Sequence, residues 1–176
     1  MLATRMRMAS GLVWDGYLYK EGDEYISQTG GWVQGYTNSA NYSQSKESDH
    51  LFLKVSSSVL WDHTDLFGTE GVRTWVTDNP IDLTEFNQLK IYWRNDGSSS
   101  DQQRSYFVVS TDKTAHYANN TKVFYISNRF TAWQENMIDV SDLSGNYYIR
   151  VHARGILNLD SKHRISEISV GRIWVE

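Results

Sequence analysis

The stretch that decides the fold is Gln88-Leu89-Lys90-Ile91-Tyr92-Trp93-Arg94, in which Leu89, Ile91 and Trp93 alternate with Gln88, Lys90, Tyr92 and Arg94. Successive side chains of a strand point to opposite faces, so this period of two marks one covered face and one wetter face. Asn146–His152 repeats the pattern, with Tyr147, Ile149 and Val151 alternating with Asn146, Tyr148, Arg150 and His152. Weaker strand signals run through Gly16–Lys20, Trp32–Thr37, His50–Ser56, Val72–Thr77, Ser105–Thr111, Lys122–Ser127, Trp133–Val140 and Ile165–Val175. The count comes to about nine or ten strands.

Turn chemistry separates them. Asn95-Asp96-Gly97, Glu21-Gly22-Asp23, Gly30-Gly31 and Asp142–Asn146 supply residues that tolerate positive φ. Ile81–Phe86 has room for one short helix, and the Ser- and Asn-rich stretch Thr37–Asp49 reads as a long loop. Many short strands between polar turns predict an all-β sandwich. A jelly roll is the first expectation, with an immunoglobulin-like sandwich as the alternative. Met1–Gly11 is expected to be a linker or leader, and residues 12–176 a single domain.

Composition narrows the function classes. The chain has 176 residues, 17 basic and 21 acidic, for a formal net charge of −4. Nucleic-acid binders usually carry a basic face, and none is expected here. No run approaches the ~18 apolar residues of a membrane-spanning helix. There are no cysteines, which removes disulfides, thiolate catalysis and zinc–thiolate sites together. Aromatic residues make up 14% of the chain, with 7 Trp, 11 Tyr and 6 Phe. They suit a pleated core, and an exposed subset would suit a ligand platform.

Four elements carry a family resemblance. They are Tyr17–Glu24 followed by Thr29-Gly30-Gly31-Trp32, then Ile81-Asp82-Leu83-Thr84 before the strand at Leu89–Arg94. Ile138–Gly145 running into Tyr147–Ala153, and the closing Ile168–Val175, complete the set. Together these resemble modules of tail and minor structural proteins from phages and prophages of Gram-positive bacteria. They also resemble galactose-binding-like, carbohydrate-binding jelly rolls appended to extracellular glycosidases. The resemblance spans residues 16–175 and implies a binding or structural role, a bacterial surface or cell-wall glycan as partner, and a place on a virion tail or outside the cell. Other tail subunits or neighbouring domains are the implied protein partners.

Catalysis finds little support in the residues. Five histidines and many serines and acids are present, but no Gly-x-Ser-x-Gly elbow positions a nucleophile. The acids Asp62, Asp65, Asp78, Asp82, Asp96, Asp139 and Asp142 sit mostly in turns, where Asp bonds its own backbone. A non-catalytic module is expected. Asp78, Asn79 and Asp82 around Pro80 form the candidate calcium group. The candidate glycan site combines the outward residues Lys90, Tyr92 and Arg94 with Tyr148, Arg150 and His152, provided their strands share a sheet. Trp32 and Trp61, read at loop edges, are further candidate platforms. The leading expectation is therefore a carbohydrate-binding module of a phage or prophage tail protein. The alternatives are a structural tail or assembly module, and an accessory module of a polysaccharide hydrolase.

Overall fold

A computed structural model describes residues 14–24, 26–35, 41–56, 71–97, 105–114, 120–126, 129–157 and 163–176. Its strands, in chain order, are β1 (Tyr17–Lys20), β2 (Asp23–Glu24), β3 (Trp32–Gln34), β4 (Asn41–Lys46), β5 (Leu51–Ser56), β6 (Gly71–Thr77) and β7 (Ile81–Asp82). Then follow β8 (Gln88–Asn95), β9 (Ser105–Ser110), β10 (Asn120–Ile126), β11 (Phe130–Asp139), β12 (Asn146–Leu157) and β13 (His163–Val175). One helical turn, α1 (Ile26–Thr29), interrupts them.

Backbone pairing sorts ten of these into two antiparallel sheets. Sheet one runs β4-β5-β13-β8-β11. Sheet two runs β3-β6-β12-β9-β10. Among the described residues, backbone pairing joins the sheets at Ile156↔Arg164 and Leu157↔His163. From β5 onward the chain crosses between sheets at β6, β8, β9, β11, β12 and β13, leaving β5-β13-β8-β11 to face β6-β12-β9-β10. That is the eight-strand jelly roll, and it sets aside the immunoglobulin-like alternative. Short β1 and β7 pair with the ends of the central strands β13 and β12, and β2 pairs with β1.

The period of two works as read. In β8 the residues Leu89, Ile91, Trp93 and Asn95 are buried, while Gln88, Lys90, Tyr92 and Arg94 are half-buried. Leu53, Ile91, Trp93, Ile168 and Ile173 of sheet one meet Trp75, Phe107, Val109, Ile149 and Val151 of sheet two in one core. The Glu21–Gly22 turn between β1 and β2 has φ of 47° and 91° at its two residues. Two positive φ values in a two-residue hairpin loop match the strands' own twist.

Two local readings are corrected. Part of the expected loop Thr37–Asp49 is strand β4, paired to β5 along its whole length. Its Ser- and Gln-rich sequence hides a sheet edge, where polar residues are tolerated because no strand among the described residues pairs beyond it. Ile81–Phe86 is not helical; Ile81–Asp82 pairs with Asn146–Tyr147. Asp82 then turns the chain by accepting hydrogen bonds from the Thr84 amide (3.0 Å) and hydroxyl (2.6 Å). The segment Met1–Gly11 falls outside the described residues.

Candidate functional site

The outer face of sheet one carries a dense cluster of half-buried aromatic and charged side chains. Tyr92 lies opposite Arg172 of β13 and Glu135 of β11, and Lys90 lies opposite Trp174 and Met137. Directly opposed residues of antiparallel strands project to the same side. The outer face of the sheet therefore collects Lys90, Tyr92, Arg94, Arg172 and Trp174 in one row.

Two irregularities, one on each side of β8, complete it. The β11–β8 ladder loses register between Phe130 and Gln134, and the β13–β8 ladder between Val170 and Arg172. A bulge re-aims its side chains. The first swings Trp133 over the sheet, where it stacks on Tyr92 at 4.8 Å with 12° between the planes. The second places Gly171 beneath both rings. A Cβ there would lie 3.2 Å from Tyr92 Cδ1 and 3.3 Å from Trp133 Cζ3, so the absent side chain is what lets the rings settle.

Cations cap the stack. The Arg172 guanidinium is 4.4 Å from the Tyr92 ring centre and 5.8 Å from that of Trp174; Arg94 is 5.2 Å from Trp133. His50 meets Trp133 edge-on at 6.4 Å and Tyr17 approaches Trp174 at 5.9 Å. Such contacts are each worth roughly 0.5–1 kcal/mol at exposed sites, enough together to hold the row in place. Lys90 pairs with Glu176 at 2.8 Å and Arg94 with Asp96 at 3.1 Å. The result is a pre-set surface of ring edges, guanidinium donors and carboxylate acceptors.

Glu176 also accepts from the Trp174 indole at 2.9 Å. The Lys90 hydrogen bond first, and that of Trp174 second, hold its carboxyl below the ordinary range. Thr84 does the same for Asp82, and Ser141 for Asp139. Each group is depressed in the folded state, so its contribution is present above its unfolded value of about 4 and is lost as pH falls through the lower folded value. Thermal unfolding should show a falling midpoint between roughly pH 5 and pH 3, with a shallower fall in Glu176→Gln. Equal slopes in the two proteins would refute the assignment to Glu176.

The second half of the expected site lies elsewhere. Tyr148, Arg150 and His152 belong to β12, in sheet two, so they cannot share a surface with Lys90, Tyr92 and Arg94. They do point to the outer side of their sheet, but that side is closed: Arg150 and His152 are both 0% exposed. His152 stacks on Tyr106 at 4.6 Å and hydrogen-bonds the Thr74 hydroxyl at 2.9 Å. Desolvation lowers the Arg150 pKa, and Tyr148 is half-buried beside the Lys113 ammonium at 5.9 Å. Trp32 is 1% exposed, its indole donating to Leu18 O at 3.1 Å; it is core, not platform. Trp61 lies outside the described residues.

The proposed calcium group does not fit a cage. The Asp78 carboxylate is engaged by Lys113, Asn79 packs against Gly30, and Asp82 is spent on Thr84. Among the described residues, no three His, Asp or Glu side chains converge as ligands. None of their helices is long and apolar enough to cross a membrane.

No protein-family model and no curated protein matches the sequence. Solved structures do resemble the fold. One, from work on the promiscuous specificity of carbohydrate-binding modules of the β-sandwich superfamily, superposes with a TM-score of 0.52 at 10% identity, over 92% of this chain and 62% of that one. PfGH50B gives 0.49 at 12% identity over 85% of this chain and 23% of its own. The enzymatically active domain of tailspike protein 4 from bacteriophage CBA120 gives 0.40 at 12% identity over 90% and 20%. The chain thus spans less than two thirds of each of these structures. At 10% identity the first of these likenesses shows the β-sandwich fold alone.

Proposed function

We propose that the protein is a non-catalytic carbohydrate-binding module whose ligand lies across the outer face of sheet one. The observation that carries this reading is the Tyr92–Trp133 stack, seated on Gly171 and capped by Arg172 and Arg94. Tyrosine and tryptophan combine an apolar body with a polar tip, which suits the alternating C–H and O–H surface of a sugar. Flanking charged groups supply short, strong hydrogen bonds to hydroxyls. The fold it shares with a carbohydrate-binding module of the β-sandwich superfamily supports the same reading.

The finer setting is a phage or prophage tail, where the module would recognise a bacterial surface glycan at micromolar to millimolar affinity and gain avidity from several copies. That setting draws on the sequence resemblance. A structural assembly module is the second reading, favoured by Tyr125, Phe130 and Met137, which are large, exposed and all on the edge strands β10 and β11.

A bacterial-glycan array with the purified protein tests the reading, beside Gly171→Val. The valine is compatible with strand backbone but forces both rings off their seat. Specific binding by the native protein and a roughly tenfold loss in the variant, with unchanged circular dichroism, is the expected result. An array without signal, together with a discrete oligomer in solution, would favour the assembly reading.

A further inference from the structure

A cleft of about 250 Å³ opens between the edges of the two sheets, lined by Trp93, Phe124, Tyr125, Phe130, Gln134 and Asn136 among others. It lies on the inner side of β8 and β11, so β8 separates it from the row on the outer face. Aromatic rings form its floor and walls: Trp93 meets Phe130 at 5.7 Å and Phe124 at 6.2 Å, both edge-to-face. Phe130 is 39% exposed, so its ring is open to a ligand.

The polar groups are the unusual part. Gln134 and Asn136 lie opposite Trp93 and Ile91 in the ladder, on the inward side of β11 where the pleat would place apolar residues. Their amides are oriented by their own hydrogen bonds. Asn136 Oδ1 accepts from the Trp93 indole at 3.0 Å, which leaves its Nδ2 donors available. Gln134 Nε2 donates to the carbonyls of Ala132 and Trp133 at 3.1 and 3.2 Å, which leaves its Oε1 available as an acceptor. A donor and an acceptor therefore stand beside edge-to-face rings, and among the described residues no charged side chain lines the cleft.

We infer that this edge cleft is a second binding site, for one uncharged pyranose ring. A donor–acceptor pair matches two neighbouring hydroxyls, each of which both gives and takes a hydrogen bond. The aromatic walls match the C–H face of the ring. The volume falls below the ~300–1,000 Å³ of sites for larger ligands, which limits the occupant to a single residue of a chain. The uncharged amides and rings of the described lining match a neutral sugar rather than a uronate. Inward polar residues also guard edge strands against pairing, but that role requires no particular amide orientation and no open ring. The site stands independently of the outer face and would survive the loss of binding there.

The test is a ¹⁵N-correlated NMR titration with cellotetraose, mannotetraose and N-acetylchitotetraose. The Trp93 indole and the Asn136 side-chain amide are expected to shift with a millimolar midpoint for at least one of the three. The shift should persist in Tyr92→Ala, weaken roughly tenfold in Phe130→Ala and vanish in Gln134→Leu, which keeps the volume and removes the acceptor. Phe130 is partly exposed, so its variant tests the site with little risk to folding. No shift with any probe up to roughly 50 mM, far above the range in which one ring binds, would overturn the inference. So would a shift that both edge variants leave unchanged, or one that Tyr92→Ala alone removes.

Discussion

Replacing Tyr92 and Trp133 together by alanine should weaken glycan binding on the order of a hundredfold, since each buried aromatic contact is worth up to ~1.5 kcal/mol and every 1.4 kcal/mol is tenfold. The two rings touch each other and share Gly171 as their seat. Their single losses should therefore sum to more than the double loss, because removing one already unseats its partner. Both project from sheet one away from the core, so circular dichroism and the unfolding midpoint should stay near native values. Calorimetric titration with the best ligand from the array measures the effect. Affinity within twofold of native in the double variant would remove the outer face as the site.

The largest stability effect is expected at Trp93. Its side chain is 2% exposed, and it packs on Phe107 at 6.3 Å besides Phe124 and Phe130. Truncation of a buried Trp to Ala costs about 3–5 kcal/mol through lost transfer energy and the cavity left behind. Asn136 would in addition lose its indole donor. Against a typical total of ~5–15 kcal/mol this is a large fraction. At roughly 2–4 °C per kcal/mol for a chain of this size, the midpoint should fall by about 6–20 °C. Trp93→Phe, which keeps most of the volume and loses only the indole donor, should lie well above Trp93→Ala. A Trp93→Ala midpoint within ~2 °C of native would mean that the neighbouring rings collapse to fill the space, contrary to the expected cavity cost.

The sequence made some of this legible and concealed the rest for definite reasons. Alternation in Gln88–Arg94 identified which side chains of β8 turn outward, because strand geometry alone decides that. The same alternation in Asn146–His152 was also geometrically right, yet facing outward did not make Arg150 and His152 accessible. Pleat direction is local, whereas the closing of a sheet's outer side is tertiary. The two strands also fell in different sheets, since a jelly roll sends successive strands back and forth between layers. Trp133 is absent from the candidate platforms because a bulge breaks its strand's period just where the residue swings outward. Gly171 gave no signal of its own: its importance lies in two rings that arrive from other strands. The amides of the edge cleft could have been noticed in Trp133–Val140, where Gln134 and Asn136 occupy positions that alternation with Ile138 assigns to the interior.

The position of β13 has a consequence for how the protein is made. Last of the strands in sequence, it is central in sheet one, with β5 and β1 along one side and β8 along the other. Arg172, Trp174 and the seat at Gly171 all belong to it. During synthesis the first nine tenths or so of the chain can gather, but the layer that bears the row has no middle until residues 163–175 emerge. Pairing β5 with β13 closes a loop of more than a hundred residues, and such distant contacts put β-sandwiches in the slow class, with folding in milliseconds to seconds. Until then β5 and β8 present open edges to other chains, so crowded translation is where this fold is most exposed to misassembly.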